Sequence, residues 1–196
     1  MEVKRISGDL ADPAADAWAA VATETVGLSA IPLDAQPTEY IRVAWADRPY
    51  GKVASADVAA AHDGERLYVR VQWADSDTPN TEFHDAAGVL FPADGADAPV
   101  ATIGGADAPV RLWYWQANLD AARDLDARGP GVFAKRAEPA VDASAALADG
   151  RWSVVLSSGL DAAVTRLGVA VWDGSNEERA GIGAVTHEWI PLEVEN

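Results

Sequence analysis

Histidine is the side chain best suited to acid–base chemistry and to metal binding near neutral pH. The chain has three, His62, His84 and His187. None of them belongs to an H-E-x-x-H or H-x-H arrangement, so their spacing does not support a zinc site. We interpret His84-Asp85 and His187-Glu188 as surface or rim residues rather than as acid–base dyads.

Covalent chemistry has equally little support in the sequence. There are no cysteines, which excludes disulfides, cysteine-ligated zinc, iron–sulfur clusters and thiol catalysis. Ser157-Ser158-Gly159 lacks the G-x-S-x-G pattern that exposes a nucleophilic serine. The sequence therefore predicts a protein that is not itself an enzyme.

The most distinctive stretch spans residues 168–189, GVAVWDGSNEERAGIGAVTHEW. Val169, Val171 and Trp172 favour a strand, and Asp173-Gly174 then favours a turn. A polar loop follows, and Val185, Trp189 and Ile190 predict a last strand. Long loops between strands commonly hold ligands in β proteins.

This stretch resembles the C-terminal signature of the haem b (γ) subunits of type II DMSO-reductase-family molybdoenzymes, such as ethylbenzene dehydrogenase, dimethylsulfide dehydrogenase, chlorate reductase and haloarchaeal nitrate reductase. The family pattern is roughly W-D-G-x-N-x-x-R-x-G-x-K-S-V-S-x-W. The blocks LYVRVQWADSDTPN, FHDAAGVLFP, IGGADAPVRLWYWQA and RWSVVLSSGL also follow the family order. The signature is matched at Trp172, Asp173, Gly174, Asn176, Arg179, Gly181, Val185 and Trp189.

The resemblance implies haem b held by one methionine and one lysine. The methionine position, in a motif M-G-x-x-x-x-P-V, corresponds to Ile103, and the lysine position corresponds to Gly183. Neither residue can donate electrons to iron, and Met1 is the only methionine. We therefore expect that the Met/Lys haem site is lost in this chain.

Two further groups of residues bear on this cofactor. Trp113 and Trp115 lie on one face of a predicted strand and Tyr114 on the other. The two tryptophans are either sandwich core or a wall of the haem pocket. Substitute iron ligands, none of them at a motif position, would be His84, His187, Lys52 or Lys135.

Composition indicates one acidic, soluble domain over residues 1–196. The net charge is −16 and 49% of the residues are hydrophobic, so the chain is not a disordered acidic tail. Dispersed carboxylates are typical of proteins from a high-salt environment, and they repel nucleic acid and anionic membranes. No stretch reaches the ~18–20 apolar residues of a membrane helix, and the first residues do not resemble a secretory signal.

Short strands separated by Gly and Asp turns favour an all-β fold, an antiparallel two-sheet β-sandwich with a few short helices in loops. The pattern predicts strands at residues 3–6, 40–45, 53–61, 83–91 and 109–117, and little structure over residues 118–149. We expect burial of ten alternating side chains: Leu67, Val69, Val71, Trp73, Val110, Leu112, Val154, Leu156, Val169 and Val171.

The resemblance implies a non-catalytic γ-like subunit of an exported, nitrate-reductase-like molybdenum oxidoreductase complex. Its partners would be a molybdopterin catalytic subunit and an iron–sulfur subunit. It would transfer electrons if haem is retained and support the complex structurally if not. Several such subunits are exported folded with a partner, which implies an extracytoplasmic location. The alternative is a carbohydrate- or small-ligand-binding sandwich that uses exposed tryptophans.

Overall fold

The computed structural model describes residues 1–75, 80–93, 97–161 and 163–195. Strands dominate it, as the sequence predicts. They are β1 (Glu2–Arg5), β2 (Thr23–Ala30), β3 (Ser55–His62), β4 (Arg66–Ala74), β5 (Ala86–Pro92), β6 (Val110–Gln116), β7 (Arg123–Ala127), β8 (Phe133–Lys135), β9 (Asp142–Ala148), β10 (Arg151–Gly159), β11 (Arg166–Trp172), β12 (Ala184–Thr186), β13 (Ile190–Pro191) and β14 (Glu193–Val194).

These strands form one continuous hydrogen-bonded sheet in the order β8-β7-β6-β5-β11-β12-β2-β3-β4-β10-β9. Pairing along this path is antiparallel, whereas β1 runs parallel to β3 and β14. Residues 23–27 of β2 pair with β3, and residues 28–30 pair with β12. The expected all-β class is confirmed, and β2 joins the two halves that the sequence predicts as separate sheets.

Side chains from both halves of the sheet meet in one inner core. It combines residues of β3, β4 and β10 with residues of β5, β6 and β11. All ten side chains that are expected to be buried are at most 2% exposed. Eight of them belong to this inner core, whereas Val110 and Leu112 lie on the opposite face of β6. The expected burial is confirmed. It could be predicted because alternate residues of a strand lie on the same face of the sheet.

The outer face of the β5-β6-β11 half carries a second apolar cluster, covered by residues 97–109. We call it the outer cluster. Its buried members are Ile31, Ala86, Leu90, Ala98, Val100, Ile103, Val110, Leu112, Leu125, Ala127, Ala170, Trp172 and Val185. On the other half, an N-terminal segment that includes Leu10, Trp18 and Val21 covers the outer face in the same way.

The prediction of a strand at residues 40–45 is wrong. Residues Glu39–Trp45 form α1, the α-helix of the described residues, and the Thr38 hydroxyl accepts a hydrogen bond from the Ile41 amide at 3.4 Å. Thr38 is therefore an N-cap, the signal that marks a helix start. Only Trp45 is buried in this helix, so the apolar alternation does not mark a strand face.

Two other expectations need correction. Residues 118–149 contain β7, β8 and β9, because pairing with β6 and β10 organises segments of low strand propensity. The last predicted strand is in fact two, β12 and β13, separated by residues 187–189. The described residues also contain 3-10 helices at Asp16–Ala20, Leu33–Ala35, Val100–Thr102 and Gly174–Asn176.

Within the described residues, no helix has the length and apolar character needed to cross a membrane.

The net charge of −16 predicts that salt stabilises this fold. Self-repulsion among dispersed carboxylates is screened as ionic strength rises. We expect the melting temperature to rise by several degrees, on the order of 5 °C, between low salt and molar KCl. Thermal melts across a KCl series test this, with sucrose at matched osmolality as the control. Flat melts would contradict an adaptation to high salt.

Candidate functional site

Ile103 lies in an unusual backbone conformation at the centre of the outer cluster. It follows the 3-10 helix Val100–Thr102 with φ 53° and ψ 51°, and its side chain is fully buried. A β-branched residue in the left-handed region is strained by about 1–2 kcal/mol. The surrounding structure therefore holds residue 103 in a conformation that isoleucine itself disfavours.

The turn around Ile103 is fixed by backbone contacts. The Ile103 amide donates to Val100 O at 2.9 Å, and its carbonyl accepts from the Gly129 amide at 3.2 Å. At Gly104, with φ 82°, a Cβ would lie 2.8 Å from Ala127 O. Only glycine fits that close approach, so the Ile103-Gly104 pair directs residue 103 toward the sheet.

Gly183 is buried where the loop after β11 enters β12. Its carbonyl accepts a hydrogen bond from the Ile31 amide at 3.0 Å. A Cβ on Gly183 would lie 2.6 Å from Cδ1 and 2.7 Å from Nε1 of Trp172. Trp172 is 1% exposed and donates from Nε1 to Ala180 O at 3.0 Å. The indole therefore fills the space of a side chain at position 183.

The fold brings these two positions to the same layer. Ile103 and Trp172 are both members of the outer cluster, and Gly183 lies against Trp172. Tyr114 packs edge-on against Trp172, with ring centroids 5.4 Å apart. Burial raises the pKa of Tyr114 to about 12, so its phenol stays protonated and is a poor anionic ligand for iron.

The residues present do not fit a haem held by positions 103 and 183. A Met/Lys site requires a thioether and a neutral amine on opposite faces of the iron. Here one position carries a buried alkyl group and the other a hydrogen atom under an indole ring.

Trp113 and Trp115 are buried together on the opposite face of β6. Both belong to the inner core, where Trp113 packs against Phe91 and Trp115 against Trp73. The predicted separation from Tyr114 is observed, because Tyr114 packs on the outer cluster. The structure therefore does not bring these two tryptophans together with Ile103 or Gly183.

None of the four substitute ligands is buried. His84 is half-buried before β5, and His187 is exposed after β12. Lys52 and Lys135 are both exposed. The described residues contain no group of three or more His, Asp or Glu side chains that could hold a metal ion.

The W-D-G motif has a structural explanation. A Cβ on Gly174 would lie 2.6 Å from Phe83 O, and the Gly174 amide donates to Asp85 Oδ1 at 2.9 Å. The Asp173 carboxylate accepts from the Asn176 amide at 3.2 Å and from the Ser175 hydroxyl at 2.6 Å. These contacts dock the loop onto the segment before β5.

Glu178 is the most deeply buried carboxylate of this loop, at 1% exposure. Its Oε1 accepts hydrogen bonds from Gly51 N at 2.7 Å, Lys52 N at 3.3 Å and Asn176 Nδ2 at 3.0 Å, and its Oε2 accepts from Asp173 N at 3.1 Å. Desolvation by burial raises the pKa of Glu178, and these hydrogen bonds oppose the rise. Glu178 therefore fastens the loop to the segment after α1.

Sequence reasoning missed three residues of this site. Trp172 is a motif residue, but nothing in the sequence indicates that its ring covers Gly183. Alternation places Tyr114 on the same strand face as Val110 and Leu112, but nothing in the sequence indicates that its ring packs against Trp172. Glu178 lies within a polar loop, and a glutamate there predicts exposure, so no sequence signal marks its burial.

The fold and site define an all-β protein whose distinctive loop is held in place by structural contacts. Sequence similarity to known proteins indicates the family to which this all-β protein belongs. The chlorate reductase subunit gamma of Ideonella dechloratans is 34% identical, covering 94% of this chain and 80% of that protein. A protein of Haloferax mediterranei named as a respiratory nitrate reductase heme subunit is 33% identical, covering 76% and 62%.

The dimethylsulfide dehydrogenase subunit gamma of Rhodovulum sulfidophilum is 30% identical, covering 68% of this chain and 58% of that protein. The chain thus spans less than two thirds of the length of two of these relatives. No family model matches the chain. The chain belongs to the family of γ (haem b) subunits of DMSO-reductase-family molybdoenzymes, which are accessory rather than catalytic subunits.

Proposed function

We propose that this chain is a single-domain accessory subunit of a molybdenum oxidoreductase complex and that it supports the complex structurally. Its partners would be a molybdopterin-containing catalytic subunit and an iron–sulfur subunit. Membership of the γ-subunit family supports this role. The structural role rests on one observation, the buried Ile103 and the indole-covered Gly183 at the two ligand positions.

Visible spectroscopy of the protein purified from cells supplied with haem tests this proposal. We expect no Soret band and no sharp α and β bands on reduction, because no donor atoms stand at positions 103 and 183. A stoichiometric low-spin haem b would instead assign this chain to electron transfer. In that case, replacement of His84 and His187 by alanine, one at a time, would identify a substitute ligand by loss of the Soret band.

A nitrate-reductase type of complex and an extracytoplasmic location are also part of this proposal. The first is supported by the Haloferax mediterranei relative and by the acidic composition. The second is supported by the family resemblance, which implies export together with a partner. Co-purification with mass spectrometry and fractionation of the native cells test both points.

A carbohydrate-binding role has less support. It requires tryptophan rings open to solvent as a stacking platform. All eight tryptophans of the chain lie in the described ranges; six are buried, and Trp152 and Trp189 are only half-buried. The described structure therefore offers no such platform.

The proposed assembly predicts the effect of two surface substitutions. Tyr40 and Val43 lie one turn apart on α1 and are 81% and 70% exposed, so together they form an exposed apolar patch that a partner subunit would cover. We expect Tyr40→Ser with Val43→Ser to reduce recovery of the partner subunits in pull-downs by about tenfold.

Leu147→Ser, at an apolar residue 46% exposed on β9, is the matched control. It tests whether any loss of surface apolar area has the same effect. Equal recovery of the partners by the α1 variant and the wild type would contradict a contact through this helix.

A further inference from the structure

A cleft with apolar walls opens at one end of the inner core, away from the outer cluster. Its volume is ≈ 350 Å³. Leu160, Val164, Leu192 and Val194 contribute to its walls, and all four also contact the inner core. His62, the last residue of β3, lines the same cleft. The fold thus places a single imidazole among aliphatic walls.

The imidazole of His62 lacks the partners that burial requires. The residue is 3% exposed, and neither Nδ1 nor Nε2 has a hydrogen-bond partner among the described residues. A buried donor or acceptor left unpaired costs about 1–3 kcal/mol. Such a ring requires a partner from outside the chain, which is either an ordered water or a ligand.

The backbone holds His62 at this position. Its carbonyl accepts from the Ile6 amide at 2.8 Å, and the residue pairs with Arg5 of β1 and Leu67 of β4. A half-turn of the ring about χ2 exchanges ring nitrogens with carbons at no change of volume. The ring can therefore present a nitrogen to the cleft without movement of the strand.

One cation stands at the same cleft. Arg5 lies over Gly64, where a Cβ would be 2.9 Å from Nη2, and its Nε donates to Asp63 O at 3.2 Å. Among the described residues no carboxylate forms an ion pair with this guanidinium, although the Glu195 carboxylate accepts from the Arg5 backbone amide at 3.3 Å. The guanidinium is thus available to an anion.

We propose that this cleft binds a small organic monocarboxylate with an apolar body. The body would pack between the aliphatic walls, the carboxylate would pair with Arg5, and a polar atom of the ligand would meet His62. Glu195 also lines the cleft, and one guanidinium beside this carboxylate favours a monoanion over a dianion. A metal ion is not supported, because the described residues supply no cluster of three ligands.

The probes are benzoate and 4-hydroxybenzoate, with benzamide as the uncharged control. The chain has only three histidines, so the imidazole ¹⁵N resonances can be assigned by replacing His84 and His187. We expect saturable shifts at His62 with a dissociation constant of about 1 mM or tighter. Benzamide should bind about tenfold more weakly, because it cannot pair with Arg5.

Variants separate binding from folding. Arg5→Gln and His62→Leu should each weaken benzoate binding about tenfold, whereas His84→Leu, outside the cleft, should leave it unchanged. Arg5 is exposed, so Arg5→Gln keeps the test valid if His62→Leu does not fold. Absence of a His62 shift, or equal binding of benzoate by the wild type and Arg5→Gln, would overturn the proposal. Neither outcome depends on whether the chain carries haem.

Discussion

Replacement of Gly183 by lysine is expected to destabilise the protein by at least about 3 kcal/mol and to bring no haem with it. The new Cβ would lie within 2.7 Å of the Trp172 ring and 3.0 Å from Val171 O. Trp172 cannot move aside without losing its hydrogen bond to Ala180 O. The lysine amine would also enter an apolar layer without a partner, and a buried unpaired charge is strongly destabilising.

Chemical denaturation measures this effect, and Gly27→Lys is the matched control. Gly27 lies in β2, is exposed, and a Cβ added there would meet nothing within 4 Å. We expect that control to change the free energy of unfolding by less than about 1 kcal/mol. The comparison separates crowding at position 183 from the general cost of lysine in a strand.

Restoration of both donors extends the test. Ile103→Met conserves volume, so alone it should change stability by less than about 1.5 kcal/mol. The Ile103→Met, Gly183→Lys double variant should remain colourless when expressed with haem, because the site is filled. A low-spin Soret band together with wild-type stability in the double variant would contradict the conclusion that the site is packed.

The sequence predicts the core well because alternation is local. Strand β4 and the β3–β4 turn can be derived from Leu67, Val69 and Val71 and from the Asp63-Gly64 pair, without any tertiary information. The helix α1 could not be derived in that way, because the apolar residues between 40 and 45 fit the period of a strand as well as that of a helix. The N-cap Thr38 is the signal that favours the helix. Segments such as β9 become strands only through their neighbour β10.

The candidate site, too, could be predicted from the sequence only in part. The absence of donor atoms at Ile103 and Gly183, the two positions that the family resemblance assigns to the iron ligands, can be read from the sequence alone. The closure of the space between them cannot, because it depends on the contact between Trp172, the last residue of β11, and Gly183, which precedes β12. Alternation likewise separates Trp113 from Tyr114, but it does not say which face residues 97–109 cover. Those facts arise from pairing between segments far apart in sequence.

Glu178→Ala should have the second large effect, a loss of about 3 kcal/mol or more in the free energy of unfolding. It would leave three backbone amides, at Gly51, Lys52 and Asp173, without an acceptor. Hydrogen bonds to a charged group contribute about 1.5–3 kcal/mol each, and they are not additive. Chemical denaturation and amide hydrogen exchange at these residues measure the loss.

Glu177→Ala is the matched control for this change. Glu177 is adjacent in sequence, but its carboxylate is 45% exposed and pairs with Arg48 at 3.1 Å. Surface ion pairs contribute about 0–1 kcal/mol, so this variant should be nearly neutral. Equal effects of the two substitutions would show that Glu178 does not fasten the loop.

Glu178→Gln distinguishes the acceptor role from simple packing. Its amide oxygen can keep the three hydrogen bonds made at Oε1, whereas its NH₂ group would face the Asp173 amide with two donors and no acceptor. We expect this variant to lose about 1–2 kcal/mol, less than Glu178→Ala. A loss as large as that of the alanine variant would point to charge rather than acceptor geometry.

The raised pKa of Glu178 determines how the stability difference between the wild type and Glu178→Gln depends on pH. Because burial favours the protonated form, the folded wild type binds more protons than the unfolded chain between the unfolded pKa and the higher folded pKa. The associated stability is fully present below the unfolded pKa and is lost as the pH rises through the folded pKa.

Glutamine does not titrate, so the stability deficit of Glu178→Gln relative to the wild type should grow as the pH is lowered from neutrality. Denaturation of both proteins across this range measures the trend, and a deficit that shrinks on acidification would mean that the folded state favours the carboxylate.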